Sequence, residues 1–259
     1  MVKFLRYYKL YLLSLQSRLL QIVNRKKYQL KFSQIEPLFS GKSGLEIGGP
    51  SKLFSSEQLP LYKIAKQIDG CNFSNNTVWE GNIASNNYDY YPGKSGIQFI
   101  SEGMVLSDIK NQEYDFLLSC HNLEHLANPI KALIEWLRVL KNGGTILLVL
   151  PDKRYTFDRK REITSFAHLI SDFKSDVDDT DLTHLNEILT LHDMDFDPDA
   201  NDNYDAFKTR CENNIKNRCL HHHVFDQPLL TELFRFLDVA IISQYNLPPN
   251  HQIIVGKKR

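Results

Sequence analysis

Residues 43–54 read SGLEIGGPSKLF, and residues 114–151 read YDFLLSCHNLEHLANPIKALIEWLRVLKNGGTILLVLP. The first is an apolar strand that carries Glu46 near its end and breaks into a Gly48-Gly49-Pro50-Ser51 turn. The second is strand, helix, strand. Its run to Cys120 is nearly continuous in apolar residues, as a strand covered on both faces must be. Asn128 then stands as N-cap with Pro129 at the first helical position, and Ile130, Leu133, Ile134, Leu137 and Leu140 share one face. Lys141 and Asn142-Gly143-Gly144 close the helix. Residues 145–150 form the next strand, stopped by Pro151. A strand, a glycine turn and then alternating helices and strands specify an α/β sheet with its ligand at the carboxyl ends of the strands.

Outward from these blocks, residues 64–73 end in IDGCNFS and give a second strand. Residues 97–101 give a third, followed by Glu102-Gly103-Met104. Beyond Pro151 the alternation lapses until a helix at 227–236, a strand at 239–243, a Pro248-Pro249 turn and a last strand at 251–256. The expectation is a Rossmann-like, seven-stranded, mostly parallel sheet with helices on both faces. Residues 1–40 are a basic N-terminal helical segment. Residues 41–257 are the α/β domain, with an insertion at 152–225 between strands five and six serving as a substrate cap.

Composition narrows the class. Hydrophobic content of 42% and charged content of 24% are those of an ordinary globular chain, and a net charge of zero gives no general case for nucleic acid. The charge is segregated, however: residues 1–31 carry eight Lys and Arg and no acid, whereas 172–205 are dense in Asp. Lying on an anionic membrane or packing on the domain or a second subunit are the two roles open to residues 1–31. Packing is preferred, because the apolar positions wrap too far round for a clean interfacial face. Cys71, Cys120, Cys211 and Cys219 form no CxxC pair, and no run approaches the ~20 apolar residues that span a bilayer. A cytoplasmic protein, peripheral to the inner membrane face if residues 1–31 dock there, is expected.

Several residues are placed for chemistry. Glycine at 48 and 49 lets the backbone turn sharply beside a ligand. Pro50 stands where a dinucleotide motif has its second glycine, and its missing N–H argues against a pyrophosphate. Glu46 either accepts from a ligand or caps the turn amides. A ribose diol would be gripped at the end of the second strand by Asp69 or Asn72, with Glu80 a third candidate. Lys153, Arg154, Arg159 and Arg161 sit on a post-strand loop and suit an anionic acceptor, or pairing with the Asp-rich stretch. His184, His192, Asp193, Asp195, Asp197, Asp199 and the triple His221-His222-His223 could surround a divalent ion. No standard ligand spacing is present, so no metal is expected.

With these residues placed, the chain resembles the class I S-adenosylmethionine-dependent methyltransferases. The residues that carry the resemblance are LEIGGPS, the SCHNLEH start, the Asn-Pro helix start, RVLKNGG and the strand ending LP, a combination similar to the "type 11" methyltransferases. PDKRYTFDRKREIT and HHHVFD are further similar to a subgroup found beside bacterial surface-polysaccharide genes. The resemblance implies S-adenosylmethionine as cofactor. It puts the amino-acid end of that cofactor on Glu46, Gly48, Gly49 and Pro50, the ribose on Asp69 or Asn72, adenine on Glu102, Gly103 and Met104, and the sulfonium beside Cys120 and His121. The implied reaction is O-methylation of a small anionic or carbohydrate acceptor in surface-polysaccharide biosynthesis. His121, His222 and His223 are the expected bases, with His125 also near the cofactor. Arg154, Tyr155, Arg159, Arg161 and His221 are expected on the acceptor. A non-catalytic domain docked through residues 1–31 and a metal-dependent hydrolase built on the His/Asp insertion are the alternatives.

Overall fold

Ser43–Ile47 (β1) lies at the centre of an eight-stranded sheet in the computed structural model, which describes residues 23–83, 86–197, 200 and 203–259. The other strands are Gln67–Asn72 (β2), Asn87–Tyr91 (β5), Lys94–Ile100 (β6), Tyr114–Cys120 (β7), Leu140–Pro151 (β8), Val239–Leu247 (β9) and His251–Lys258 (β10), while Asn76–Thr77 (β3) and Gly81–Asn82 (β4) make a separate hairpin. The order across the sheet is β5-β6-β2-β1-β7-β8-β10-β9. β6, β2, β1, β7 and β8 run parallel, and the two edges turn antiparallel. The chain therefore reverses its direction of winding at β1 and β7, which opens a crevice at their carboxyl ends.

The sheet has eight strands, not the expected seven. The additional one is β5, in a stretch reading NYDYYPG that carries a polar residue at every second position. Tyr88 and Tyr90 point inward and are buried, with Asp89 exposed between them. The helix of the central block also ends earlier than its sequence spacing predicts. It runs Pro129–Val139 (α3), and Leu140 already pairs with Tyr114 in β8. Residues 141–144 bulge where the register with β7 shifts, and Gly143 sits at φ +71°. Ile134, expected on the buried face, is exposed, because the stripe through Ile130, Leu133 and Trp136 leaves it at the rim.

Strand periodicity sorts the core into two layers. Leu45, Ile47, Leu117, Ile146 and Leu148 face α3, Gln227–Phe236 (α8) and Leu169 of Phe166–Lys174 (α4). Phe116, Leu118, Leu147 and Val149 face the other way, onto Arg25–Ile35 (α1) and Leu61–Ile64 (α2). Within α1, Tyr28, Phe32 and Ile35 are buried at i, i+4 and i+7. The described end of the basic segment thus packs on the sheet, and residues 1–22 lie outside the described residues. No described helix is long and apolar enough to cross a membrane.

Residues 152–225 leave the sheet after β8 and return at α8. They carry the helices α4, Leu185–Leu191 (α5), Tyr204–Glu212 (α6) and Asn214–Asn217 (α7). Their own apolar core is small, built from Ile188, Phe207, Cys211 and Leu220.

Close packing at β1 gives a direct test of this arrangement. A Cβ on Gly44 would fall 2.0 Å from Phe116 Cε2, whose ring is wedged edge-on against Phe39. Gly44→Ala is expected to cost about 1–3 kcal/mol in chemical denaturation.

Candidate active site

A cavity of about 520 Å³ opens at the carboxyl ends of β1, β2, β6, β7 and β8. Ile47, Gly48, Pro50 and Ser51 supply the β1 side, and Cys71 and Asn72 the β2 side. Ser101, Glu102 and Gly103 follow β6, and Cys120, His121, Asn122 and Glu124 follow β7. The insertion closes the opposite wall with Tyr155, Phe157, Phe196, Arg210, Arg218 and His221. Trp79, carried by the turn of the β3–β4 hairpin, and His125 pack edge to face at its rim.

Glu46 is directed away from this cavity. It is fully buried on the opposite side of the sheet, where Oε1 accepts from Ser51 N (3.1 Å) and Ser51 Oγ (2.6 Å). Its Oε2 accepts from Tyr62 OH (2.6 Å) and Tyr88 OH (2.7 Å). Burial raises its pKa, against the pull of these four donors. A Cβ on Gly49 would meet Tyr88 OH at 2.1 Å and the Glu46 carboxyl at 2.3 Å, so glycine is required there by the carboxylate cage. Gly48, at φ +78°, and Pro50 do line the cavity, but Gly48 N–H donates to Cys71 O at 2.9 Å. The turn is capped from within.

The other expected cofactor residues divide. Asp69 lies in the body of β2 and accepts from Tyr114 OH, Ile97 N and Gln67 Nε2, each at 2.8 Å, which keeps it out of the cavity. Asn72, at the end of β2, lines the cavity and donates to Gly49 O at 3.1 Å. Glu102 and Gly103 line it, whereas Met104 is buried in the core behind them. Trp136 Nε1 holds the Gly103 carbonyl at 2.7 Å. Cys120 and His121 both line the cavity. Burial holds the Cys120 thiol well above its usual range, and burial drives His121 well below that of a histidine, with its Nε2 2.9 Å from His251 Nδ1.

On the acceptor side the arginines are occupied elsewhere. Arg154 makes a forked contact with Asp152, Arg159 lies 3.8 Å from Asp193 and over the Phe196 ring, and Arg161 is buried against Asp158, Glu187 and the carbonyls of His221 and His222. None of the three lines the cavity, though Tyr155 does. The histidines are redistributed too. His222 and His223 are buried behind the wall, with His222 Nε2 3.1 Å from Asn214 Nδ2. His221 reaches the cavity, its Nδ1 in a short hydrogen bond with Asp158 Oδ2. Burial works against both charges, but the Asp158–His221 contact prevails. The imidazole and Arg161 hold Asp158 at about 2, and the carboxylate raises His221.

Four contributors, Asp158 among them, drew no expectation from the sequence. Glu124 is 1% exposed, both carboxyl oxygens lack a hydrogen-bond partner among the described residues, and burial pushes it up to about 7. Asn122 Oδ1 beside it is similarly unpartnered. Arg218 donates to Glu102 Oε1 at 2.7 Å while its Nε and Nη1 have no hydrogen-bond partner among the described residues. Only the LEH triplet hinted at Glu124; nothing local marked Asp158 or Arg218, because their roles depend on contacts 63 and 116 residues away.

A family model described as a methyltransferase domain matches residues 45–148, from β1 through most of β8. The cofactor of the chain is S-adenosylmethionine. No curated protein matches the chain. Among solved structures, a protein of Pyrococcus horikoshii OT3 is similar in fold at a TM-score of 0.50 and 12% identity, over 90% of this chain and 91% of that one. S-adenosylmethionine-dependent methyltransferases of Thermotoga maritima (17% identity, TM-score 0.47, 94% and 95% covered) and Aquifex aeolicus (11%, 0.46, 90% and 98%) are also similar.

The cavity suits that cofactor in size and polarity. About 520 Å³ is ample for a nucleoside with an amino-acid arm. The unpartnered oxygens of Glu124 and Asn122 call for donors or positive charge, which an ammonium and a sulfonium provide.

The carboxylate cage beneath the turn should be measurable by itself. Tyr88→Phe removes one hydrogen bond to Glu46 and is expected to lower stability by about 1.5–3 kcal/mol in urea denaturation. Adenosylhomocysteine affinity, read by calorimetry, should fall with it as the Gly48–Ser51 turn loosens.

Proposed function

We propose that the chain is an S-adenosylmethionine-dependent methyltransferase acting on a hydroxyl of a small anionic or carbohydrate acceptor. The observation that carries this reading is His221, a cavity-lining imidazole oriented by the Asp158 carboxylate. Bound S-adenosylmethionine supplies an electrophilic methyl group on a sulfonium, open to in-line displacement. A hydroxyl is a weak nucleophile until its proton is removed, so this chemistry asks the protein for a positioned base.

His221 meets that need. With its Nδ1–H given to Asp158, Nε2 keeps the lone pair that takes the proton from the acceptor, and the carboxylate then stabilises the imidazolium. Asp158 in turn is fixed by Arg161 Nη1 at 2.9 Å. His125 flanks the ring at 4.5 Å between centroids and stays neutral, lowered by burial and tied through Nδ1 to Leu220 O at 3.0 Å. Glu124 balances positive charge on the cofactor side. Asn72, Gly48, Glu102 and Gly103 would hold the nucleoside and amino-acid portions, and Tyr155, Phe157 and Phe196 exclude water from the reacting atoms.

The unpaired Nε and Nη1 of Arg218, with Nε of Arg210, offer donors to an anionic group on the acceptor. They take the part that the sequence assigned to Arg154, Arg159 and Arg161. The resemblance of residues 151–164 and 221–226 to the polysaccharide-associated subgroup supports a cell-envelope carbohydrate as that acceptor.

Calorimetry with adenosylhomocysteine should give saturable binding to the wild-type chain. His221→Gln and Asp158→Asn should bind it equally, yet lower single-turnover methylation of nucleotide-linked sugars by about 10²-fold or more. A His221→Gln chain that methylates its acceptor at the wild-type rate would remove the base from this scheme.

A further inference from the structure

We propose that His168, Asp172, His184 and His223 form a four-coordinate site for a divalent transition-metal ion, zinc in the first instance, which ties together three segments of the insertion. One ligand atom from each lies within 4.8 Å of every other. His168 Nε2 stands 3.1 Å from His184 Nε2 and 3.3 Å from Asp172 Oδ2, and His223 Nε2 stands 3.7 Å from that same oxygen. Metal–ligand bonds of about 2.0–2.1 Å in a tetrahedral zinc site place neighbouring ligand atoms about 3.3–3.4 Å apart. The His168–His184 and His168–Asp172 separations are close to that spacing.

Hydrogen bonding does not account for the arrangement. Asp172 Oδ2 is buried and accepts no hydrogen bond among the described residues. His168 and His184 meet nitrogen to nitrogen, where at most one proton can be shared. Lone pairs converging without donors are what a cation satisfies. One outer partner is in place as well. His184 turns Nδ1 to within 3.8 Å of Glu187 Oε2, a supporting contact that orients a metal-bound imidazole, whereas His223 Nε2 lies 3.1 Å from the Ala127 carbonyl and exchanges that contact for the ion.

Three imidazoles and one carboxylate suit zinc, with cobalt or nickel able to substitute. All four positions are filled by protein, and neither His184 nor His223 lines the cavity, so the site is structural. Its ligands explain the need. His168 and Asp172 come from one face of α4, His184 from the start of α5 and His223 from the returning segment. An ion there links three pieces of an insertion whose own apolar core, among the described residues, buries Ile188, Phe207, Cys211 and Leu220. The spacing 168-172-184-223 matches no standard motif, which is why no metal was expected from the sequence. Of the earlier candidates only His184 and His223 take part; His192 is paired with Asp197 at 2.9 Å instead.

Elemental analysis of the purified full chain, dialysed against a weak chelator, should find close to one zinc per chain. His184→Gln and Asp172→Asn should reduce this to about a tenth or less. His125→Gln should leave it unchanged, although His125 belongs to a second group, with Glu124 and His221, whose atoms also converge within 4.8 Å. Chelated wild-type chain should regain its melting temperature on adding zinc, and cobalt in its place should give the visible absorption of a tetrahedral ion. Absence of stoichiometric metal, full retention in both ligand variants, loss confined to His125→Gln, or no thermal shift on adding zinc would overturn the proposal.

Discussion

A buried carboxylate under the first glycine turn governs the geometry of the whole crevice. Glu46 gathers donors from Ser51, Tyr62 and Tyr88, so three separate segments converge on one pair of oxygens. Removing any donor leaves part of a charge unsatisfied in an apolar layer, which costs more than the single bond is worth in water. Gly49 and Pro50 follow from the same constraint. A side chain at 49 would occupy the space of the Glu46 and Tyr88 oxygens, and position 50 has no N–H that needs a partner. The turn is shaped by its own protein first, and it presents the cavity with a finished edge.

The cavity above that turn is electrostatically divided. Glu124, Asn122 and Glu102 gather acceptors on the sheet side, while Arg210 and Arg218 bring donors on the insertion side, beside the Asp158–His221 pair. Such a division is consistent with a cationic cofactor below and an anionic acceptor above. It also gives the Arg218–Glu102 contact a clear purpose. That ion pair crosses from insertion to sheet and closes one flank of the opening.

The three consecutive histidines illustrate how one run of sequence serves separate ends. His221 faces the cavity, His222 is buried against Asn214, and His223 joins His168, Asp172 and His184. Placing the proposed base and a proposed metal ligand two residues apart would tie the position of the base to the packing of the insertion. A shift of the returning segment would disturb both at once.

Much of this was legible in the chain. Apolar runs near period two, the Asn128-Pro129 helix start and the glycine turn determined a parallel α/β sheet, because local packing and capping preferences all point the same way. They determined the position of the cavity too, since the ends of β1, β2, β6 and β7 follow directly from strand order. Other features needed the folded molecule. The β5 strand alternates Tyr with polar residues and carries too weak a signal until Tyr88 is seen reaching Glu46. Asp69 read as a ligand contact and Glu46 as either a ligand contact or a cap on the turn amides; sheet register turns each toward buried partners on its own side, and Glu46 takes the capping role at Ser51 N. The pairing of Asp158 with His221, the bare oxygens of Glu124 and the convergence of His168, Asp172, His184 and His223 arise between residues distant in sequence. Sequence alone determined which elements form; tertiary structure decided which side chains meet, because that depends on register and on how the insertion folds back.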